Sequence, residues 1–340
     1  MIFFLVFVTA LLLSLGLTPL AARFAIRTGA VDQPAPRRVH DKPTPRFGGL
    51  PIFISFIAAI GVSLQYPRTD PYEMTRLAGL AILTVLVFAV GVYDDYREMK
   101  PLPQLVVQIV AAGIAVASGV LIREIPNPLG GLPLPFETGF AILFTLFWLV
   151  GTMNTVNWLD GIDGLAGGVV IIASAVMFIH TYRLEQYSIA LLALALAGTV
   201  LGFLPFNFYP ARIFLGSAGA NVLGFALGIL SIIGGAKVAT ALLVLGIPIL
   251  DVAWQIFNRL RAHKSPFAAD RGHLHHRLLD LGLSQRAIVL LYYTFTAVFG
   301  ALALWLPSAT YKLIALVIIG IGALLVLIMM GHRKQAPPTE

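Results

Sequence analysis

The sequence predicts an all-α, polytopic integral membrane protein with about ten to eleven transmembrane helices. The 340 residues are 58% hydrophobic and only 11% charged, whereas soluble domains carry about 25% charged residues. The mean hydropathy is +0.88. The chain also divides into apolar runs of roughly 17 to 25 residues, the length that crosses a bilayer as a helix. No soluble domain or low-complexity linker separates these runs.

The apolar runs follow one another from the N-terminus to residue 331. No positive segment precedes the first run, and Arg23 and Arg27 follow it, so we expect an uncleaved helix and not a removed signal peptide. We predict one membrane-embedded domain over 1–331 and a short tail over 332–340. The predicted spans are 2–26, 48–66, 75–93, 102–122, 138–156, 162–181, 187–206, 217–235, 237–258, 287–306 and 309–331.

The basic residues predict the orientation of these spans. Of the 23 Lys and Arg residues, one face of the membrane receives only Arg68, Arg76, Arg123, Arg183, Lys237 and Lys312. The other face, which also receives the C-terminal tail, is therefore cytoplasmic by the positive-inside rule. All polar motifs of the chain emerge on that same face. We expect a single cytoplasmic site at the plasma or inner membrane, built from several helix ends.

The charge and the cysteine count exclude other classes of protein. The net charge of +7 could indicate nucleic-acid binding, but no soluble basic domain carries it, so membrane orientation explains it better. No nucleic-acid partner is predicted. The absence of cysteine excludes disulfides and thiolate metal sites or nucleophiles.

Two adjacent carboxylates, Asp94 and Asp95, close the third apolar run. A single aspartate there would be an ordinary helix exit. Two repel each other, and the C-terminal end of a helix is the wrong end of its dipole for anions. A cation would relieve both costs. Mg²⁺ suits such a position, because it takes one or two carboxylates and accepts further oxygens from substrate phosphates.

The stretch NTVNWLDGIDGLAGG sets four polar residues at the edge of the fifth apolar run. Asn154, Asn157 and Asp160 recur every three positions, which on a helix places them on one face. Asp163 follows beyond Gly161. The alternative is that Asp160 or Asp163 caps the next helix, which explains one aspartate but not the other polar residues. Polar groups this close to hydrocarbon usually mark a site.

Three histidines stand in the longest cytoplasmic loop, RAHKSPFAADRGHLHHRLLDLGLSQR. His273, His275 and His276 lie between Arg271 and Arg277. A zinc site is disfavoured, because no cysteine or acid stands at a useful ligand spacing. A phosphate cradle of imidazoles and guanidiniums fits the composition better. A solvated basic loop would explain the arginines but not the histidines.

The first cytoplasmic loop, VDQPAPRRVHDKPTPRFGG, combines prolines with basic residues. Two interpretations remain open, namely binding of anionic membrane lipids and contact with an anionic substrate at the mouth of the site. The residues that would make the second contact are Arg37, Arg38, His40, Lys42 and Arg46.

Three further polar residues lie within or beside apolar runs. Asp251 stands inside the ninth run, where a charge costs about 2.5 to 3.5 kcal/mol near the bilayer centre. We expect it in the cytoplasmic half, facing protein. For Asn207 and Asn221, hydrogen bonding between helices is the favoured interpretation.

Taken in order, VYDDYREMKP, NTVNWLDGIDGLAGG, FNFYPARIFLG, PILD and DRGHLHHRLL resemble segments of the polyprenyl-phosphate sugar-1-phosphate transferases. This superfamily contains MraY, and the resemblance is strongest to its WecA/TagO-like branch. It extends from the RRVHDKPTPRFGG loop to the histidine loop. HLHH and PILD look like the branch that uses UDP-GlcNAc or a related UDP-HexNAc. An MraY-like fold and a homodimer are implied by the resemblance.

The resemblance implies a reaction as well. Undecaprenyl phosphate attacks the sugar-linked phosphate of the UDP-sugar and gives undecaprenyl-diphospho-sugar and UMP, as the first lipid-linked step of cell-envelope polysaccharide synthesis. Mg²⁺ is the implied cofactor, with Mn²⁺ as the alternative. One substrate comes from lipid and the other from the cytosol, and metal and basic groups must offset the charge of two polyanions.

The resemblance also assigns roles to residues. Asp94 would be the base toward the lipid phosphate, although a phosphate monoester is largely ionised at neutral pH and needs little deprotonation. The implied catalytic set is Asp94, Asp95, Asp160, Asp163 and His273. The implied metal ligands are Asp94, Asp95, Asn157, Asp160, Asp163 and Ser217. Substrate binding would involve Arg37, Arg38, His40, Lys42, Arg46, Asn154, Asn207, Arg271, His275 and His276.

One segment departs from the family pattern. The family reads FLGDxGS, whose aspartate is a metal ligand, and this chain reads FLGSAGA, with Ser217 and Ala220 at those places. A neutral hydroxyl replaces carboxylate poorly on Mg²⁺. The metal is then held more weakly and through other groups, or the chain is an inactive member that binds UDP-sugar or lipid without turnover.

Two other classes are disfavoured. A transporter would show charged residues lining a path from both faces and an internal repeat, and the sequence shows neither. A CDP-alcohol phosphotransferase requires a DGxxAR run, and DGIDGLAGG has no arginine.

Overall fold

The computed structural model describes residues 1–34, 42–125, 127, 131–233, 237–265, 272–306 and 308–332. These residues form an all-α protein with two short strand pairs. The elements follow the chain in the order α1 (Ile2–Thr28), β1 (Val31–Asp32), β2 (Thr44–Pro45), α2 (Gly49–Ser63), α3 (Glu73–Arg97), α4 (Pro101–Ala117), β3 (Glu124–Ile125), β4 (Leu134–Pro135), α5 (Thr138–Leu159), α6 (Leu165–Arg183), α7 (Tyr187–Asn207), α8 (Gly216–Ile233), α9 (Lys237–Val244), α10 (Gly246–Arg261), α11 (Leu274–Asp280), α12 (Gln285–Trp305) and α13 (Ala309–His332).

The helices confirm the predicted all-α, multi-pass membrane protein. Within the described ranges, seven helices are long and apolar enough to cross a bilayer, namely α1, α3, α5, α6, α7, α8 and α12. Shorter apolar helices stand at the second, fourth and last predicted spans, as α2, α4 and the 310–322 part of α13.

The ninth predicted span, 237–258, is wrong as a single helix. The structure divides it into α9 and α10, with Leu245 as the N-cap of α10. Gly246 is a poor helix former and Pro248 lacks a backbone N–H, so both are better tolerated in a first turn than inside a long helix. The α10 helix also carries a buried polar series, Asp251, Gln255 and Arg259.

The α8 helix is the centre of the bundle. Every residue from Gly216 to Ser231 is buried, and α3 and α5 are its main neighbours. Glycines allow these helices to approach closely: a Cβ added at Gly91 of α3 would lie 2.3 Å from the Ala218 Cα. One added at Gly224 would lie 2.6 Å from the Met153 Cα of α5. Packing through small residues is the usual way in which membrane helices associate.

The two-residue strands β1 and β2 pair antiparallel and direct the end of the first loop to the start of α8. Phe214 donates its N–H to the Pro45 carbonyl at 2.8 Å, and Gly48 donates to the Phe214 carbonyl at 2.9 Å. This backbone contact places Arg46 beside the first turn of α8.

Candidate active site

Several helix ends meet at one end of the bundle, which we call the site face. The C-terminal ends of α3, α5 and α7, the N-terminal end of α8, the end of the first loop and the segment before α11 all contribute. Together they bring to this face Arg46, Asp94, Asp95, Asn154, Asp160, Asp163, Asn207, Ser217, His273 and His275.

Asp95 caps the N-terminus of α8 from a different helix. Its Oδ1 accepts the Ser217 N–H at 2.7 Å, and its Oδ2 accepts the Ala218 N–H at 3.1 Å. The first N–H groups of a helix have no partner within that helix, and a carboxylate at this end also interacts favourably with the helix dipole. Gly216, at φ +73°, leaves room for the contact, because a Cβ there would lie 2.7 Å from Asp95 Oδ2. Asp95 therefore fixes α3 to α8.

Arg46 completes this contact. Its Nε lies 3.2 Å from Asp95 Oδ1, and its Nη2 donates to Ser217 Oγ at 3.3 Å. The Asp95 side chain is fully buried, and the Arg46 side chain is 24% exposed. One guanidinium thus contacts both the Asp95 carboxylate and the Ser217 hydroxyl, while part of it still faces solvent.

Asp94 points to the other side of α3. Its Oδ1 accepts the Met99 N–H at 2.7 Å, which closes the end of the helix. Asp94 also lines a small cavity together with Gln104, Gln108 and Asn221. Its Oδ2 is the oxygen that this contact leaves for another ligand.

A chain of buried amides runs beside this cavity. Asn154 Nδ2 donates to Gln108 Oε1 at 2.7 Å, and Gln108 Nε2 donates to Asn221 Oδ1 at 2.9 Å. Asn221 Nδ2 then donates to the Ser217 carbonyl at 2.8 Å. The chain links α5, α4 and α8, so the interhelical role predicted for Asn221 is confirmed. Asn154, predicted to bind substrate, uses its amide N–H groups within the bundle, since it also donates to the Val150 carbonyl.

Asp160 and Asp163 lie in the turn between α5 and α6. The α5 helix ends at Leu159 and Asp160 is its C-cap. Of the three residues predicted to share a helix face, Asn154 and Asn157 are therefore helical and Asp160 lies one residue beyond the helix. The alternative that an aspartate caps α6 is wrong, because Gly164 is the N-cap and no side chain caps the helix. Asp163 Oδ2 instead accepts the Ala211 N–H at 2.9 Å.

Asp160 lies among other charged side chains of the site. Burial raises the pKa of Asp160 well above its usual value, Arg46 lowers it, and Asp95 and Asp163 raise it further. Carboxylates that repel one another in this way favour either a bound proton or a nearby cation.

Asn207 ties the turn to the end of α7. Its Oδ1 accepts the Gly164 N–H at 3.2 Å, and its Nδ2 donates to the Ile213 carbonyl at 3.0 Å. The helix-linking interpretation is therefore confirmed for Asn207 as well. Substrate binding by this side chain stays a prediction.

The histidine segment lies against the same turn. His273 Nδ1 is 2.9 Å from Asp251 Oδ2, which confirms that Asp251 is buried and faces protein. A Cβ added at Gly161 would lie 2.2 Å from His275 Nε2, so this glycine makes room for the imidazole. Burial lowers the pKa of His275 well below its usual value, and His276 and His273 lower it further. His275 is therefore neutral near pH 7, and neither of its ring nitrogens has a hydrogen-bond partner among the described residues.

The remaining predicted site residues either lie at the edge of the site or fall outside the described residues. Lys42 is exposed, whereas Asn157 and His276 are half-buried, and the His276 ring lies 4.3 Å from that of His275. Arg37, Arg38, His40 and Arg271 lie outside the described residues.

Sequence reasoning missed three residues that build the site. Gln108 is the centre of the amide chain, and Gln255 and Arg259 hold the histidine segment and its surroundings from α10. For Gln255 and Arg259 a signal existed, since Asp251, Gln255 and Arg259 recur every four residues and must share one helix face. Gln108 had a similar signal, since Gln104 lies four residues earlier in the same run and shares its helix face.

The donor atoms indicate how the site fits a divalent cation. No three His, Cys, Asp or Glu side chains in the described part of the chain converge as a metal-ligand set. Both Asp95 oxygens are occupied, and Ser217 is neutral. Asp160 and Asp163 contribute the carboxylates of the adjacent turn. Burial and the nearby carboxylates raise the pKa of Asp160, and a cation at this turn would offset their negative charge. Because Mg²⁺ needs only one or two carboxylates when substrate phosphates and waters complete its shell, the residues fit a weakly held ion.

The fold and the site define a multi-pass membrane protein with a polar site of carboxylates, a guanidinium and imidazoles at one membrane face. Residues 77–235 match the model of glycosyl transferase family 4. The relatives described next cover most of the chain at 30% identity or more, and the chain belongs to this family.

Three relatives illustrate the similarity. The chain is 35% identical to a probable undecaprenyl-phosphate N-acetylglucosaminyl 1-phosphate transferase of Bacillus subtilis, over 89% of this chain and 85% of the relative. It is 33% identical to a decaprenyl-phosphate N-acetylglucosaminephosphotransferase of Mycobacterium tuberculosis, over 99% and 92%. It is 30% identical to an undecaprenyl-phosphate alpha-N-acetylglucosaminyl 1-phosphate transferase of Yersinia pestis, over 81% and 76%.

Proposed function

We propose that this protein transfers N-acetylglucosamine 1-phosphate, or a closely related HexNAc 1-phosphate, from a UDP-sugar to undecaprenyl phosphate and releases UMP. The observation that carries the proposal is the meeting of Arg46, Asp95, Asp160 and the histidines at one end of an apolar helix bundle. A lipid phosphate reaches such a place from the membrane and a nucleotide reaches it from water. The names of the three relatives support the same reaction.

The reaction exchanges one phosphorus–oxygen bond for another. An oxygen of the lipid phosphate bonds to the sugar-linked phosphorus, and the bond from that phosphorus to the UMP oxygen breaks. Both substrates are polyanions, so the site must offset charge as they approach. Arg46 supplies a permanent positive charge with part of its side chain open to solvent. His275 offers ring nitrogens that no described side chain uses.

A divalent cation, Mg²⁺ or Mn²⁺, would be held by Asp160 and Asp163, and when bound it would neutralise phosphate charge as a Lewis acid. Asp94 lies beside α4, and because its carboxylate and an ionised lipid phosphate both only accept hydrogen bonds, contact between them would need a shared proton or a bridging cation. The lipid phosphate needs little help to lose a proton, since a phosphate monoester is largely ionised at neutral pH. The position of Asp94 next to the amide chain favours a role in orienting the lipid phosphate over a role as a strong base.

The test is UMP release by the purified full-length protein in lipid nanodiscs. Undecaprenyl phosphate is supplied with UDP-GlcNAc, UDP-GalNAc or UDP-glucose, each with Mg²⁺, with Mn²⁺ or with chelator. We expect release with UDP-HexNAc and metal, accompanied by a lipid-linked HexNAc diphosphate. Absence of UMP under every condition would refute the proposal and favour a binding-only member.

We also propose that the site face is cytoplasmic, as the positive-inside rule indicates, and that the protein is a homodimer in the inner or plasma membrane. The chain has no cysteine, so single cysteines can be introduced without background. Lys42→Cys and Asp70→Cys lie at exposed positions near opposite ends of the bundle. An impermeant maleimide added to intact cells should label only Asp70→Cys, and the reverse pattern would refute the orientation.

A further inference from the structure

One buried face of α10 holds the histidine segment at two points. Asp251 Oδ2 lies 2.9 Å from His273 Nδ1, and Asp251 Oδ1 accepts the Leu274 N–H at 2.9 Å. One turn later, Gln255 donates from Nε2 to the Gly272 carbonyl. Asp251 and Gln255 are 5% and 2% exposed. The backbone on both sides of His273 is therefore fixed to the same helix that binds its ring.

Two other rings lie beside the His273 ring. The Trp158 ring lies 5.7 Å from the His273 ring at an interplanar angle of 51°, and the His275 ring stacks at 5.7 Å with an interplanar angle of 7°. Arg259, two turns after Asp251 on α10, lies 5.6 Å from the Trp158 centroid. The imidazole is thus held through Nδ1 by a carboxylate and has two further rings beside it.

These contacts determine the protonation pattern of the ring. An ionised carboxylate only accepts hydrogen bonds, so Nδ1 of His273 must carry a proton to bond Asp251. The second oxygen of Asp251 is bound to a backbone N–H, so the carboxylate is held in one orientation. Nε2 is then the nitrogen left to face a ligand, and when Nε2 also carries a proton it can donate a hydrogen bond to an anion.

We propose that Asp251 is a positioning residue that fixes the Nδ1–H form of His273 and directs Nε2 to the phosphate oxygens of the reacting diphosphate. The expected effect on catalysis rests on the proposed transferase function, whereas the contacts between Asp251 and His273 do not depend on it. Outer partners that orient a functional imidazole typically contribute about 10- to 100-fold. We therefore expect Asp251→Asn to lower kcat by about 10- to 100-fold, with the KM for the UDP-sugar nearly unchanged, because the charge on the departing UMP develops during the reaction.

The first experiment reads the ring directly and needs no turnover. ¹⁵N-histidine-labelled full-length protein is examined by NMR, with the His273 signals assigned by comparison with His273→Gln. We expect Nδ1–H in the unchanged chain, since the carboxylate accepts it. In Asp251→Asn the amide oxygen can keep the Leu274 N–H, so its NH₂ group donates to Nδ1 and the ring changes to Nε2–H. Asp251→Glu keeps a carboxylate and should retain Nδ1–H. An Nε2–H form in the unchanged chain, or the same form in all three proteins, would overturn the proposal.

The second experiment tests whether Asp251 acts through His273. UMP release is measured for Asp251→Asn, His273→Gln and the double variant, and a shared role requires that the double variant lose no more than the more damaging single change. Multiplied losses would mean that the two residues act separately, against the proposal. Asp70→Asn is the matched control, because Asp70 forms an ion pair with Arg76 at 2.8 Å on the opposite face, and it should keep full activity. If the unchanged protein releases no UMP with any sugar, the transferase proposal fails, while the NMR result still decides whether Asp251 fixes the ring.

Discussion

Replacing Asp95 by alanine tests the inference that this residue holds α3 to α8. The change removes the acceptor of the Ser217 and Ala218 N–H groups and the partner of Arg46. Loss of a capping side chain costs about 1 kcal/mol, and loss of a hydrogen bond to a charged group about 1.5 to 3 kcal/mol. Water can solvate part of the abandoned guanidinium, because the Arg46 side chain is 24% exposed. We expect the free energy of unfolding to fall by about 2.5 to 4 kcal/mol.

The measurement is reversible unfolding in mixed micelles by SDS titration, followed by circular dichroism. Asp70→Ala is the control, because it also removes an aspartate from an ion pair, but one whose side chains are 27% and 43% exposed. Such a pair contributes only about 0 to 1 kcal/mol. If Asp95→Ala costs no more stability than Asp70→Ala, the capping role is refuted.

Three further changes test other parts of the site. Gly161→Ala should displace His275, whose Nε2 would lie 2.2 Å from the new Cβ, and lower UMP release at least about tenfold. Gly151→Ala in the preceding helix α5 meets nothing within 4 Å and should leave the activity unchanged, so equal activity of the two variants would contradict the contact. Ser217→Asp should lower the Mg²⁺ concentration for half-maximal UMP release by about tenfold or more, and an unchanged requirement would show that the serine is no defect. The pKa of His275 is lower in the folded protein than in the unfolded chain. Below the ordinary pKa of 6.5 the unfolded state therefore binds more protons, and the stability of the folded protein falls as the pH decreases. Thermal melting between pH 7 and 5 should show this decrease and His275→Gln should reduce it, whereas identical pH profiles of the two proteins would argue against a buried neutral ring.

Much of the fold follows from the sequence because lipid solvent imposes a simple rule, namely an apolar helix for every crossing. That rule identifies α1, α3, α5, α6, α7, α8 and α12. It fails at 237–258, where apolar composition conceals a break near Gly246 and Pro248. Hydropathy averages over a window, so it does not detect where a helix ends and another begins.

The sequence likewise predicts some features of the site and not others. Polar residues beside hydrocarbon are costly, and this cost indicated Asp94, Asp95, Asp160 and Asp163 before any contact was known. Their partners depend on tertiary structure. Nothing near Asp95 in the chain indicates that it accepts N–H groups from residues 217 and 218, and nothing near His273 indicates Asp251. Charge and position predict that a residue matters, whereas packing decides what it touches.

The burial of α8 has a consequence for how the protein is made. A helix enclosed from Gly216 to Ser231 offers almost no surface to lipid once the bundle is complete. Its main neighbours, α3 and α5, and also α2, precede it in the chain, so the helices that cover most of it are synthesised before it. Asp95 on α3, which accepts N–H groups from the first turn of α8, is likewise synthesised first. The central helix is therefore made after the partners that enclose it.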